Sequence, residues 1–270
     1  MAERIAVVIP TTGRSSLQQA LISVSEQNVK LAAVLVVDDS ISQEVKIPLI
    51  KDHIILKTGG EKGPSFSRNL GMAHAKAEWI AFLDDDDYWL PEHIEKLLEF
   101  CKTNDLDAAY SSAIVSGKIR PQKIIKPKTS PLISLYEKPT WRPTKYYLPT
   151  PGLMISRTIA ARLAFNTNLF EREDLWFAHK IFENQFKLGQ SRNASLVVNQ
   201  DSKRSINRTT LENDLNWSER LELVGTQARD FFLQGIAFRN AIVRKDWRAV
   251  KIIAKMYPRK SLLFWIISKL

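Results

Sequence analysis

Between Trp79 and Pro91 a short apolar run, Trp79-Ile80-Ala81-Phe82-Leu83, runs into four consecutive carboxylates, Asp84 to Asp87, followed by Tyr88-Trp89-Leu90-Pro91. The run is brief, aromatic-rich and bounded by a turn signal, which predicts a buried strand. The acids then sit at its carboxyl end, where open α/β sheets place ligands. Two unit charges about 4 Å apart repel by roughly 1 kcal/mol in water and roughly 4 kcal/mol at an effective dielectric near 20. Four adjacent carboxylates therefore call for a cation. A hard divalent ion such as Mg²⁺ takes one or two protein carboxylates and fills its remaining positions with water and substrate phosphates. The bland alternative is a solvated turn whose last acid, Asp87, caps a helix starting near Pro91. One cap leaves the other acids unexplained.

Other apolar runs repeat the theme. Ile5 to Ile9 reads as a first strand closed by Pro10-Thr11-Thr12-Gly13-Arg14, and Leu17, Ala20, Leu21 and Val24 then recur at helical spacing. Leu31 to Val37 ends at Asp38-Asp39-Ser40, and His53 to Leu56 is a third, short run. Strands alternating with helical patterns predict β-α-β units and a largely parallel sheet with helices on both faces. The loop Gly59-Gly60-Glu61-Lys62-Gly63-Pro64 leads into a helix expected over Ser65 to Ala75. It lacks the spacing of a P-loop or a dinucleotide fingerprint. Arg68 in that helix is either a surface cation or a phosphate contact.

Further along, a helix is expected from Pro91 to Lys102, strands over Ala108 to Val115 and Gly152 to Ile155, and a helix near Thr158 to Leu163. Pro131 to Pro151 carries five prolines and excludes a long helix. Such loops serve as lids or binding segments. Leu175, Ala178, Ile181, Phe182 and Phe186 place Asp174 at a helix start, where it is either an N-cap or a general base aimed into a cleft. After Val198 the pattern changes to a basic stretch, Lys203 to Arg208, then helices over Leu211 to Leu233 and Ile236 to Met256. The division expected is residues 1–200 as one α/β domain and 201–270 as a basic, mainly helical extension.

The formal net charge of +10 calls for an anionic partner: a nucleotide, a nucleic acid or an acidic membrane surface. The single cysteine, Cys101, excludes an internal disulfide and falls in a helical apolar pattern. The N-terminal stretch lacks a signal-peptide layout and no run reaches a spanning length, so cytoplasmic synthesis is expected. The apolar, basic tail Tyr257 to Leu270 either packs on the body or lies against acidic headgroups.

Four segments together resemble the family 2 glycosyltransferases of GT-A fold, in particular bacterial enzymes that build surface polysaccharides. They are Val8-Ile9-Pro10-Thr11-Thr12-Gly13-Arg14, Val36-Val37-Asp38-Asp39-Ser40, Gly63-Pro64-Ser65-Phe66-Ser67-Arg68-Asn69-Leu70-Gly71 and Phe82 to Pro91. The resemblance implies a GT-A (Rossmann-like), mostly parallel mixed sheet flanked by helices, with a C-terminal helical extension. It implies a nucleotide-sugar donor whose base is contacted by Asp39, with Pro10, Thr11 and Arg14 in the same pocket and Arg68 near the phosphates. Asp84, Asp85 and Asp86 match the Asp-x-Asp region. There Asp86, with Asp84, holds Mg²⁺ or Mn²⁺, while Asp84 and Asp85 contact the ribose or metal-bound water. Glu173-Asp174 matches the acidic motif of the base, which makes Asp174 the catalytic residue. Thr12-Gly13 departs from the more usual Tyr-Asn, and an acid fills the middle of the Asp-x-Asp; both bear on which nucleotide is bound. The Gln-x-x-Arg-Trp motif of processive members is absent.

The expected activity is an inverting, metal-dependent transfer of one sugar to a saccharide or lipid-linked saccharide hydroxyl, with Pro131 to Pro151 lining the acceptor side. The enzyme is expected in the cytoplasm, peripheral on the membrane through its tail. A metal-dependent nucleotidyltransferase is the rival enzyme reading. Nucleic acid is not expected as a partner, because the acids would repel phosphate.

Overall fold

The computed structural model of the protein describes residues 4–41, 53–125, 129–136, 146–169, 171–199 and 210–257. The basic stretch Lys203 to Arg208, Phe170, the tail beyond Tyr257 and part of Pro131 to Pro151 lie outside them. The chain forms two compact units, Met1–Thr129 with Tyr146–Gln200, and Ser130–Lys145 with Asp201–Leu270. The proline-rich segment is thus shared between the two.

The first unit is built on one mixed sheet in the order β3 (His53–Lys57), β2 (Ala33–Asp38), β1 (Ile5–Thr11), β4 (Trp79–Phe82), β8 (Leu153–Ser156), β6 (Ala108–Val115), β9 (Leu188–Val198), β5 (Tyr88–Trp89), with β7 (Lys118–Arg120) paired to β6. Its first half is parallel: β1 (Ile5–Thr11) lies between β2 (Ala33–Asp38) and β4 (Trp79–Phe82), and β3 (His53–Lys57) pairs with β2. Strands covered on both faces need continuous apolar sequence, and Ile5 to Ile9 and Val34 to Val37 are buried. Helices α1 (Leu17–Ser25) and α2 (Gly63–His74) make the crossovers. Gly71 brings α2 close to β1, because a Cβ there would overlap the Val8 side chain. The chain leaves β1 toward β2 and returns on the other side as β4, so the carboxyl ends of β1 and β4 flank a topological switch point.

The second half is mixed. β8 (Leu153–Ser156) runs antiparallel to β4 and β6, and β9 (Leu188–Val198) runs parallel to β6. The short β5 (Tyr88–Trp89) pairs with β9, so the chain leaving the acidic turn is tied to the far side of the sheet. Trp89 donates through Nε1 to the Pro151 carbonyl at 2.7 Å and stacks on His93 with ring centres 4.6 Å apart. His93 in turn meets the Ser195 hydroxyl at 2.9 Å, and burial pushes its pKa down to about 3, so the ring is neutral. Helix α3 (His93–Thr103) buries Ile94, Leu97 and Cys101, as their spacing predicts. It opens at Glu92 and His93, so Asp87 does not cap it. Helix α5 (Arg157–Arg162) follows β8. Helix α6 (Glu173–Glu183) stops short of Phe186, because Gln185 takes a left-handed φ of 63°.

The second unit is helical among its described residues: α4 (Pro131–Leu135), then Leu211–Val224, Thr226–Phe231, a π-helical turn Phe232–Ala237, Phe238–Val243 and Trp247–Met256. The periodicity of Leu211 to Leu233 predicts one helix, but Gly225 at φ 155° divides it. The second expected helix is likewise split by Lys245, at φ 59°, and by Asp246, whose carboxylate accepts from the Ala249 N–H at 3.0 Å. Trp217, Leu221, Phe232, Leu233 and Ile253 are buried, and Trp217 Nε1 donates to the Tyr136 hydroxyl at 3.2 Å. No helix among the described residues is long and apolar enough to cross a membrane.

Candidate active site

Parallel register places the site. Val8 pairs with Phe82, and Thr11 with Asp38, so the segments after β1, β2 and β4 emerge together. The Thr11 hydroxyl donates to Asp85 Oδ2 at 2.7 Å, and Arg14 Nη1 reaches Asp85 Oδ1 at 3.1 Å and Asp86 Oδ2 at 2.6 Å. Asp85, the acid in the middle of the Asp-x-Asp region, is therefore turned toward β1. Burial raises its pKa, and the Thr11 hydroxyl and Arg14 charge only temper the rise.

The other three acids converge. One oxygen each from Asp84, Asp86 and Asp87 lies within 4.8 Å of the others, the grouping among the described residues that suits a metal ion. Asp87 joins the pair Asp84 and Asp86 expected from sequence. Its Oδ1 accepts the Asn199 N–H at 3.0 Å, and Asn199 Nδ2 donates to the Asp86 carbonyl at 2.9 Å, which fixes the turn from β9. Burial, and next the charge of Asp84, push the Asp87 pKa up to about 8. A bound divalent cation would relieve the repulsion that Asp87 meets from Asp84 and Asp86, so the donor set fits one: three hard oxygen ligands, partly buried, of which Asp84 and Asp86 also meet Arg68 and Arg14.

Arg68 connects this cluster to α6. It is 4% exposed on α2, with Nη2 donating to Asp84 Oδ1 at 2.8 Å and Nη1 to Glu173 Oε1 at 3.0 Å. Its guanidinium lies 5.4 Å from the centre of the Phe165 ring. Burial works against its charge, but the Asp84 and Glu173 carboxylates outweigh it and hold the group protonated beyond its usual range. Of the two readings left open for Arg68, the surface cation is thus overturned. Glu173, adjacent to the proposed base, is the partner that sequence reading missed.

Asp174 is the second residue of α6, after Arg172 in a left-handed conformation at φ 63°, and does not cap the helix. Its Oδ1 accepts from the Leu175 N–H at 2.7 Å, and its other oxygen has no hydrogen-bond partner among the described residues. Burial, then the neighbouring Glu173 charge, raise the Asp174 pKa to about 7. A carboxylate poised near neutrality with one free oxygen is suited to take a proton.

Asp39 follows β2 and is buried. Its Oδ1 accepts from the Thr58 hydroxyl and, at 2.9 Å, from the Lys62 N–H; Oδ2 accepts from the Gly63 N–H at 2.7 Å. Asp39 therefore fastens the glycine-rich loop at the start of α2, a role no sequence signal announced. Pro10 lies beside Val37 in the sheet, and the Asp39 N–H donates to the Thr11 carbonyl at 2.8 Å. Pro10, Thr11, Arg14 and Asp39 are thus neighbours at one edge.

Comparison with known proteins agrees with this geometry. A stretch of 115 residues is 30% identical to an Escherichia coli protein named UDP-Glc:alpha-D-GlcNAc-diphosphoundecaprenol beta-1,3-glucosyltransferase WfaP, covering 41% of this chain and 46% of that one. A stretch of 104 residues is 31% identical to the Campylobacter jejuni GalNAc(5)-diNAcBac-PP-undecaprenol beta-1,3-glucosyltransferase, covering 36% and 34%. The matched stretch spans less than half the length of these relatives. The fold is similar to that of S. aureus TarS in complex with UDP-GlcNAc, with a TM-score of 0.62 at 18% identity over 88% of this chain and 72% of that one. The model of the family described as "Glycosyl transferase family 2" matches residues 6–164, more than half of the sequence and all of the strand ends that carry the acids. On that match the chain belongs to glycosyl transferase family 2.

Proposed function

We propose that the protein transfers a single sugar from a nucleoside-diphosphate sugar to a hydroxyl of a lipid-linked saccharide, with inversion at the anomeric carbon and with a divalent ion bound. The observation that carries this reading is the bridge of Arg68 between Asp84 and Glu173. One buried guanidinium ties the carboxylates suited to a metal diphosphate to the helix start that presents Asp174.

Asp84, Asp86 and Asp87 would hold Mg²⁺ or Mn²⁺, which supplies electrostatic stabilisation to the departing diphosphate. The remaining work falls to the chain. Arg14, about half exposed and ion-paired with Asp85 and Asp86, is the cation that would meet the donor phosphates. Asp39, Pro10 and Thr11 form the nucleotide edge, and Asp85 positions Thr11 and Arg14 there. Asp174, unprotonated, takes the proton from the acceptor hydroxyl at its free oxygen. That hydroxyl oxygen bonds to the anomeric carbon as the bond to the diphosphate oxygen breaks. Attack opposite the leaving group inverts the centre.

The names of the relatives support UDP-glucose as donor and a diphosphoundecaprenol-linked sugar as acceptor. A lipid-linked acceptor supports a location in the cytoplasm, peripheral on the membrane face. The test is product analysis with UDP-glucose, Mn²⁺ and a lipid diphosphate-linked N-acetylglucosamine. The expected products are UDP and a β-linked disaccharide. Release of pyrophosphate, or an α linkage, would overturn the reading.

A further inference from the structure

In the helical unit, cations are segregated. From Arg239 to Met256 the sequence carries Arg239, Arg244, Lys245, Arg248, Lys251 and Lys255 against one acid, Asp246. That acid is engaged in capping the helix Trp247–Met256. Arg244 faces Asp214 at 3.7 Å and Arg229 meets Glu222 and Asp230, so neither belongs to the exposed stripe. In the helix Trp247–Met256, Ala249 and Ile253, four residues apart, face inward and are buried. Arg248, Lys251 and Lys255, at spacings of three and four, share the opposite, exposed side. Apolar side chains stand exposed at both ends of this cationic stripe: Trp247 at 59%, Val243 at 51% and Met256 at 47%.

A purely solvated helix face has no use for an exposed indole beside a row of cations that have no acidic partner among the described residues. Anionic lipid matches both features, because headgroups pair with the lysines and arginine while Trp and Met enter the interfacial layer. Nucleic acid would satisfy the cations and leave Trp247, Val243 and Met256 without a role. We infer that the exposed face of Trp247–Met256, through Arg248, Lys251, Lys255 and Trp247, is a docking surface for an anionic lipid bilayer. It rests on the proposal of a lipid-linked acceptor only for its purpose, since the surface is independent of the catalytic residues.

The experiment measures partitioning of the full chain onto vesicles free of acceptor and nucleotide sugar. Equimolar phosphatidylglycerol and phosphatidylcholine is compared with phosphatidylcholine alone. Each cation near an anionic surface contributes a factor of about five, so R248Q/K251Q/K255Q should lower partitioning about a hundredfold. The charge-retaining R248K/K251R/K255R should keep it, and Trp247→Ala should weaken it with the cations intact. Turnover of a water-soluble acceptor should be the same in all variants, which also reports that they fold. Failure of the wild-type chain to bind the anionic vesicles, binding unchanged by the triple Gln substitution, or preferential binding of duplex RNA that the same substitution abolishes would each overturn the inference. Because the vesicles contain no substrate, such a failure leaves sugar transfer itself standing.

Discussion

Removing the Arg68 charge while keeping its bulk, in Arg68→Met, should destabilise the protein chiefly by stranding two carboxylates. Arg68 makes two charge-assisted hydrogen bonds, at 2.8 Å to Asp84 and 3.0 Å to Glu173, and its own side chain is 5% exposed. Breaking a buried pair by deleting one partner typically costs about 3–5 kcal/mol. Asp84 is 29% and Glu173 14% exposed, and solvent screens the Asp84 side more, so the expectation is about 3 kcal/mol, near the lower end. The loss arises from an uncompensated charge and not from lost packing, so it should shrink when Glu173 is made neutral. In a double-mutant cycle with Glu173→Gln, followed by urea denaturation of the metal-free protein at neutral pH, the coupling should be about 1–2 kcal/mol. If the two losses add to within about 0.5 kcal/mol, the bridge is not what holds this site together.

Asp174→Asn should lower kcat by about 10² to 10⁴ while leaving the donor KM near the wild-type value. In the wild type, with the base pKa raised to about 7, kcat/KM should climb about tenfold per pH unit below that value and level off above it. Asp87, held at about 8 in the folded state against about 3.9 in an unfolded chain, contributes stability that is present below the lower value and lost as pH rises through the higher. The metal-free protein should therefore lose a few kcal/mol between about pH 4 and pH 8, a loss that Asp87→Asn should largely abolish in a pH series of melts. Gly71→Ala should cost about 1–3 kcal/mol by driving a methyl group into Val8 and prying α2 from β1, read by denaturant midpoint.

The parallel half of the sheet was legible because β1, β2 and β4 are buried and announce themselves as unbroken apolar runs, while β3 is short and half exposed. Ile5 to Ile9 and Trp79 to Phe82 each end at the residue where chemistry begins. The convergence of Thr11, Arg14 and Asp84 to Asp86 could be expected from the resemblance, and the parallel register brings it about. What the sequence could not convey is which acid faces which partner. Four aspartates in a row carry no mark that Asp85 turns to Thr11 while Asp87 turns toward Asp84 and Asp86, since that choice depends on Asn199, 112 residues away. The pairing of Arg68 with Glu173 spans 105 residues and has no local signal. Helix ends were misread where a single backbone angle decides, at Gln185, Gly225 and Lys245, because side-chain periodicity continues past residues whose φ breaks the helix.

In the proposed mechanism the acids after β4 hold a divalent ion that supports the nucleotide-sugar diphosphate. It is tested most directly by titrating Mn²⁺ into the metal-free full chain with UDP-glucose present, following the ion by electron paramagnetic resonance. One ion per chain should bind in the wild type, and Asp84→Asn with Asp86→Asn should abolish that binding together with sugar transfer. Stoichiometric binding that survives both substitutions, or undiminished transfer in excess chelator, would contradict the claim.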